Sequence, residues 1–338
     1  MTKKVGTQTV KFSSNPVIKG TGVVVGPKEG EGPLTNSFHE INQDELLGQP
    51  SWEQAEGEYL LRACQRAIQA SHLQTKDVEY FFAGDLLNQT VSSNLTAKKL
   101  GVPYYGLFGA CSTMTEGLIL AAIKVDGGYA THVLTGTSSH NKGAERQFRF
   151  PTEYGGQRPP YAQWTATGAG AAVVSQKDMA FHGPLVTYAT TGRVLDWGVK
   201  DAFDLGSAMA PAAYDTLKAH CSDTGGQPSD YDLILTGDLG IQGSELFREL
   251  CSNDGLDVSM QHQDCGIKLY YSHQDVHGGG SGCACSAIVV YSQIFDNLMS
   301  GQLNKILVMA TGALHNPQII QQNLSIPSIC HGVVLEKT

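Results

Sequence analysis

Asp77-Val78-Glu79-Tyr80-Phe81-Phe82-Ala83-Gly84-Asp85-Leu86 comes back later in the chain as Asp230-Tyr231-Asp232-Leu233-Ile234-Leu235-Thr236-Gly237-Asp238-Leu239. Each stretch is an apolar run that ends in Gly-Asp-Leu, and in each the opening aspartate stands the same distance before the closing one. A second pair follows in the same order. Val133-Leu134-Thr135-Gly136-Thr137-Ser138-Ser139-His140-Asn141 is answered by Val308-Met309-Ala310-Thr311-Gly312-Ala313-Leu314-His315-Asn316. Both are strand-like runs that break at Thr-Gly and continue into a polar turn holding His-Asn. Gly-Asp and Thr-Gly are common turn dipeptides, but two matched pairs in one order read as an internal duplication.

The segments between these marks correspond as well. Residues 56–70 and 211–222 have the periodicity of amphipathic helices, each preceding the first marked strand. Residues 113–125 and 281–298 are rich in small residues and apolar on most faces, so they read as buried helices, each followed by a glycine turn and a strand. The order helix, strand, buried helix, strand therefore occurs twice. It predicts a layered α/β fold of two duplicated halves, each with a mostly parallel sheet and right-handed crossovers, and with the buried helices between the sheets. The halves divide as 1–180 and 181–338, near Phe181, just after the apolar run 169–174.

Bulk properties narrow the function. The 338 residues carry a net charge of -9, which sets a nucleic-acid partner aside but leaves room for a small anion in a locally positive pocket. The eight cysteines are scattered, mostly inside apolar runs, as expected of reduced thiols in a cytosol-like compartment. Met1 to Val5 carry charge and no apolar stretch, so no secretory signal is predicted. No apolar run approaches the roughly 20 residues that cross a bilayer, so work at a membrane would be peripheral.

Phe108-Gly109-Ala110-Cys111-Ser112-Thr113-Met114 joins a short strand to the first buried helix. Gly109 permits a tight turn and Ala110 leaves room beside it. Cys111 then stands at a helix N-terminus, where free amide hydrogens and the helix dipole favour negative charge. A thiol so placed is expected to have a lowered pKa and to act as a nucleophile. The same turn can hold a ligand carboxylate without chemistry, and a buried structural cysteine is the third reading.

Gly109-Ala110-Cys111-Ser112 followed by a small-residue helix, inside a duplicated α/β chain, resembles the thiolase superfamily. Its thiolases and ketoacyl synthases use that cysteine to accept an acyl group. Two runs resemble more narrowly the SpoVAD family, thiolase-like proteins of stage V sporulation. One is residues 108–116. The other is Thr135-Gly136-Thr137-Ser138-Ser139-His140-Asn141 continuing through Phe150-Pro151-Thr152-Glu153-Tyr154-Gly155-Gly156-Gln157-Arg158-Pro159-Pro160-Tyr161. The resemblance implies a thiolase-like αβαβα fold and binding of dipicolinate (pyridine-2,6-dicarboxylate) for movement into the developing spore. It implies a location peripheral to the spore inner membrane, beside other SpoVA membrane proteins, and allows a homodimer.

Active relatives add His/His or His/Asn to the cysteine, to activate the thiol and form an oxyanion hole. His277-Gly278-Gly279-Gly280-Ser281-Gly282 matches their second-half histidine segment with one residue fewer. Asp238 stands where they place Asn or His, and an aspartate repels an oxyanion. Residues 310–316 lack the thiolase's second cysteine and offer His315. The cysteine survives while its partners are altered, so a non-catalytic pocket is expected; an acyltransferase using Cys111 and a structural subunit with a vestigial pocket are the alternatives. A flat aromatic dianion calls for cations, amide hydrogens and aromatic faces. Residues 146–164 supply Arg146, Arg149, Arg158, Phe148, Phe150, Tyr154, Tyr161 and Trp164, in a stretch that could instead pack a dimer. Strand ends add Thr137, Ser138 and His140 from the first half, and Asp238, His277 and His315 from the second. No cofactor is expected; calcium would arrive only with the ligand. His262, Cys265, His273, His277, Cys283 and Cys285 invite a zinc reading, but Cys-x-Cys in a helical pattern points its thiols apart.

Overall fold

The structure is a computed structural model that describes residues 3–148, 158–177 and 182–338. The predicted division near Phe181, and the candidates Arg149 and Tyr154, lie outside the described residues.

Ten strands follow one another across one ladder: His262–Asp264, Leu233–Thr236, Lys305–Ala313, Ser328–Glu336, Leu185–Thr190, Val17–Val25, Gly168–Ser175, His132–Ser139, Tyr80–Gly84 and Tyr104–Gly106. Thr9–Lys11 pairs beside Leu185–Thr190, and Glu40–Ile41 beside Val17–Val25. Each half of the ladder holds five strands. Counted along the chain within its own half, each block runs third, second, fourth, fifth, first from its outer edge to the centre. The duplication read from the two sequence pairs is thus a duplication of topology.

The pairing directions also repeat, and four of the five strands in each block run the same way, as the expected mostly parallel sheets require. In each block the outer three strands are parallel, while the fifth runs antiparallel to both neighbours. A parallel return needs a crossover to the far end of the sheet. Between Ala313 and Ser328 the chain forms one short helix, Pro317–Gln321, and re-enters beside the strand it has just left. The blocks meet through Val17 and Leu185, so the two expected sheets join edge to edge.

The buried helices lie where their composition suggests. Thr113–Asp126 packs on strands of both blocks, including His132–Ser139 and Lys305–Ala313. Cys283–Val289, buried at every position, packs on Val17–Val25, Gly168–Ser175 and His132–Ser139. Outside them, Trp52–Ala70 covers the first block and Leu205–Thr224 the second, which completes the alternation of helix and sheet layers. Both outer helices start earlier than their periodicity predicts. The Ser51 hydroxyl accepts the Gln54 amide at 3.3 Å, and the Asp204 carboxylate accepts the Ser207 amide at 3.2 Å; both are N-caps. Pro211, the expected start of the second, lies inside it. Among the described residues, no helix is long and apolar enough to cross a membrane.

Candidate functional site

The site begins where the short strand Tyr104–Gly106 gives way to the Cys111 turn. Ala110, not Gly109, takes the left-handed conformation there, with φ +50°. Its small side chain and the bonds around it hold that conformation. The Ala110 carbonyl accepts the Thr113 hydroxyl at 2.6 Å and the Cys283 thiol at 2.9 Å. The Ser112 hydroxyl donates to the Gly109 carbonyl at 2.6 Å. From the second half, Gly312 presses on the same turn: a Cβ there would lie 2.3 Å from the Gly109 carbonyl oxygen.

Asp238, at the end of the other marked repeat, lies close enough to Cys111 for its charge to act on the thiol. One of its oxygens accepts the Thr311 hydroxyl at 2.9 Å. The other accepts the Ser281 hydroxyl at 3.1 Å and the Gly282 amide at 3.0 Å. Asp238 is 1% exposed and Cys111 6%. Burial first, then the Asp238 charge and the neighbouring Cys283, push the Cys111 thiol well above its usual range. The expectation of a lowered thiol pKa is therefore overturned. The helix N-terminus carries about half a charge, and removal from water beside a full carboxylate outweighs it. Both effects favour the neutral thiol over the thiolate.

Burial raises the Asp238 carboxyl too, although four donors favour its charged form. Behind it, Asp264 accepts the Thr236 hydroxyl and the Leu239 and Gly240 amides, and burial pushes it up to about 7. In the first half, Asp85 accepts the Leu87 amide and the Ser93 amide and hydroxyl. Nearby Glu56 lies well above the usual carboxylate range, through burial and then the Asp85 charge.

A cavity of about 40 Å³ reaches the sulfur. Cys111 and Ser281 line it together with Ala110, Ala144, Ala313 and Thr165, and with Phe108, Glu145, Phe148 and His315. The Phe148 and His315 rings are 5.1 Å apart and tilted by 31°. Among the described lining residues there is no lysine or arginine, so the expected cationic cup is not found.

The structure brings Cys111, Asp238 and His315 together and disperses the other candidates. The Thr137 hydroxyl donates to the Gly84 carbonyl at 2.8 Å, in the sheet. Ser138 donates to Glu56 at 3.1 Å. His140 packs under Trp52 and Tyr59, with Nδ1 accepting the Lys142 amide and Nε2 donating to the Glu45 carbonyl; burial holds its pKa down to about 4. Alternation along a strand explains the split, because successive side chains leave opposite faces. Arg146 pairs with Glu53 in a different cleft. Arg158 donates to the Asp275 carbonyl at 2.7 Å and lies over Trp164. His277 is held by the Pro159 carbonyl and Asp275, each at 3.0 Å. Sequence reading missed Ser281, Gly282, Cys283, Thr165 and Thr311. Thr311 and Ser281 stood inside the quoted segments, where the histidines drew attention instead.

The model of the family described as Stage V sporulation protein AD (SpoVAD) matches residues 6–336. Stage V sporulation protein AD of Bacillus subtilis (strain 168) is 48% identical over 335 residues, covering 99% of this chain and 98% of that protein. Among solved structures, 3-oxoacyl-[acyl-carrier-protein] synthase III from Aquifex aeolicus VF5 matches with a TM-score of 0.56 at 14% identity, over 95% of this chain and 99% of that one. Cerulenin-bound OleA from Xanthomonas campestris matches with a TM-score of 0.59 at 15% identity, over 95% of this chain and 96% of that one. At such identities the likeness shows the fold, which is thiolase-like.

Proposed function

The chain belongs to the SpoVAD family of stage V sporulation proteins, and from that premise we propose that it is a non-catalytic binding protein for dipicolinate, which it holds in the Cys111 cavity for uptake into the developing spore. In this reading it works with other SpoVA membrane proteins, peripheral to the spore inner membrane, and calcium reaches it only as part of the ligand. The division into halves at about residue 180 belongs to the same proposal, with the cavity at the contact of the two.

One observation supports the absence of chemistry: Cys111 is buried beside Asp238, and burial first, then the Asp238 charge, hold its thiol well above its usual range. A nucleophilic thiol needs a neighbour that accepts its proton and then tolerates the thiolate. A thiolate beside an Asp238 carboxylate would place two negative charges in a dry site, which is strongly disfavoured. An oxyanion would meet the same repulsion. What remains suits recognition. Cys111 and Ser281 offer hydrogens to a carboxylate, and Phe148 and His315 offer ring faces to a flat aromatic acid. The cavity has room for a few water molecules, so the ligand fits as the side chains that line it move apart.

Titration calorimetry of the full chain with dipicolinate, with and without calcium, tests the proposal. Saturable binding that Cys111→Ala weakens supports it. Heatless titrations combined with transfer of an acetyl group from acetyl-CoA to Cys111 would replace it by the acyltransferase reading. No uptake of either compound leaves a structural subunit.

A further inference from the structure

Two small side-chain donors, Cys111 and Ser281, line the cavity, and Asp238 lies beside both. The Ser281 hydroxyl gives its hydrogen to Asp238 at 3.1 Å, and the Asp238 charge acts on the Cys111 thiol. A carboxylate entering the cavity competes for those same hydrogens. If both turn to the ligand, Asp238 keeps the Gly282 amide and the Thr311 hydroxyl and gains a second anion at close range. Among the described residues, the titratable groups on which its charge acts include Cys111, Cys283, Cys285, Cys265, Asp264 and Cys330, none of them cationic. The described titratable residues lining the cavity are Cys111, Glu145 and His315.

Resting on the proposal that this cavity binds an aromatic dicarboxylate, we infer that ligand entry is coupled to the uptake of one proton by Asp238. The proton comes from solvent and converts the carboxylate to a carboxylic acid, and no covalent bond of the ligand changes. The neutral acid no longer repels the ligand, and Cys111 and Ser281 are released to bind it. Asp238 is then the residue that makes affinity depend on pH, a role no residue of the resting protein shows on its own. Burial beside the thiol already moves this carboxyl in the required direction, so the further shift on binding begins from a favourable point.

Titration calorimetry with dipicolinate, repeated at several pH values and in buffers of different ionisation enthalpy, counts the protons. Carboxyls of the free ligand are ionised from about pH 6 upward, so uptake there belongs to the protein. We expect close to one proton per ligand at about pH 8, and affinity falling about tenfold per pH unit. Asp238→Asn should bind with almost no uptake and with affinity flat in pH, at least tenfold tighter than the parent chain at about pH 8. Thr311→Val removes one donor from the carboxylate, and should move the onset of the decline up by about one pH unit. Binding without proton uptake, an undiminished count in Asp238→Asn, or an onset unmoved by Thr311→Val would each overturn the coupling while leaving the binding reading intact. Absence of binding at every pH overturns that reading and the coupling with it.

Discussion

At the scale of single residues, the environment of Cys111 reverses what its place in the chain suggests. A helix N-terminus favours an anion, yet burial and Asp238 favour the neutral thiol. Alkylation reports the thiolate directly. In native protein at about pH 8, iodoacetamide should modify Cys111 at least a hundredfold more slowly than free cysteine, followed by mass spectrometry of the Cys111 peptide. Labelling at the free-cysteine rate would mean an activated nucleophile and reopen the acyltransferase reading. Arg158 is the opposite case, a cation expected at the ligand whose contacts within the chain lie elsewhere. Its guanidinium spans Asp275 and the face of Trp164, with side chains 19% and 76% exposed in the ion pair. Arg158→Ala should lower unfolding free energy by about 1 kcal/mol in a denaturant titration and leave dipicolinate affinity within about twofold. A tenfold loss of affinity would return Arg158 to the site.

At the scale of elements, the turn that holds Cys111 is shaped from outside. The strand Lys305–Ala313 ends against it, and Gly312 permits the approach because it has no side chain. In Gly312→Ala the new methyl would meet backbone, the Gly109 carbonyl oxygen at 2.3 Å and the Ser112 nitrogen at 3.0 Å, neither of which can rotate away. The substitution should destabilise the fold by about 2 kcal/mol in thermal or denaturant melts. It should also weaken dipicolinate at least tenfold by displacing Cys111 in the cavity lining. As a control, Gly128→Ala in an open turn, where a Cβ meets nothing within 4 Å, bears only the strain of its φ of +74° and should leave affinity unchanged. Part of this was legible in the sequence. The four marked strands and both buried helices are where the repeats and the small-residue composition place them. The antiparallel fifth strands were not, because an apolar run such as residues 169–174 shows that a strand is buried and says nothing of its direction. Helix starts were read from periodicity, although Ser51 and Asp204, the capping residues, stood in plain view.

For the whole molecule, duplication explains both what the sequence revealed of the site and what it hid. The paired motifs announce which strand ends converge, so Asp238 and His315 were within reach. Which side chain faces the cavity depends on register: Ser138 and His140, two steps apart, both face the outer helix Trp52–Ala70, and Thr137, one step from Ser138, leaves the other face. The same burial that makes the site also fills the interior with titratable groups, and these set the pH range in which the fold is most stable. Burial raises Glu29 and Asp264 to about 7, well above exposed carboxyls. The folded state therefore holds their protons where the unfolded chain has lost them, and the stability they contribute disappears as pH rises through about 7. Buried His140, His220 and His331 are held down to about 4, and His262 to about 3. The unfolded chain takes protons at these positions first, so stability falls as pH drops below about 6.5. Between about pH 6.5 and about pH 8 the two groups of residues oppose each other: Glu29 and Asp264 each withdraw about 0.8 kcal/mol while the histidines still recover a similar total, so denaturant titrations of the parent chain should stay nearly level there. Glu29→Gln should shift the stability change over that range upward by about 0.8 kcal/mol relative to the parent chain, whereas an identical pH dependence would mean that Glu29 is already ionised in the folded protein and that its buried hydrogen bonds to Tyr270 and Thr167 outweigh its removal from water.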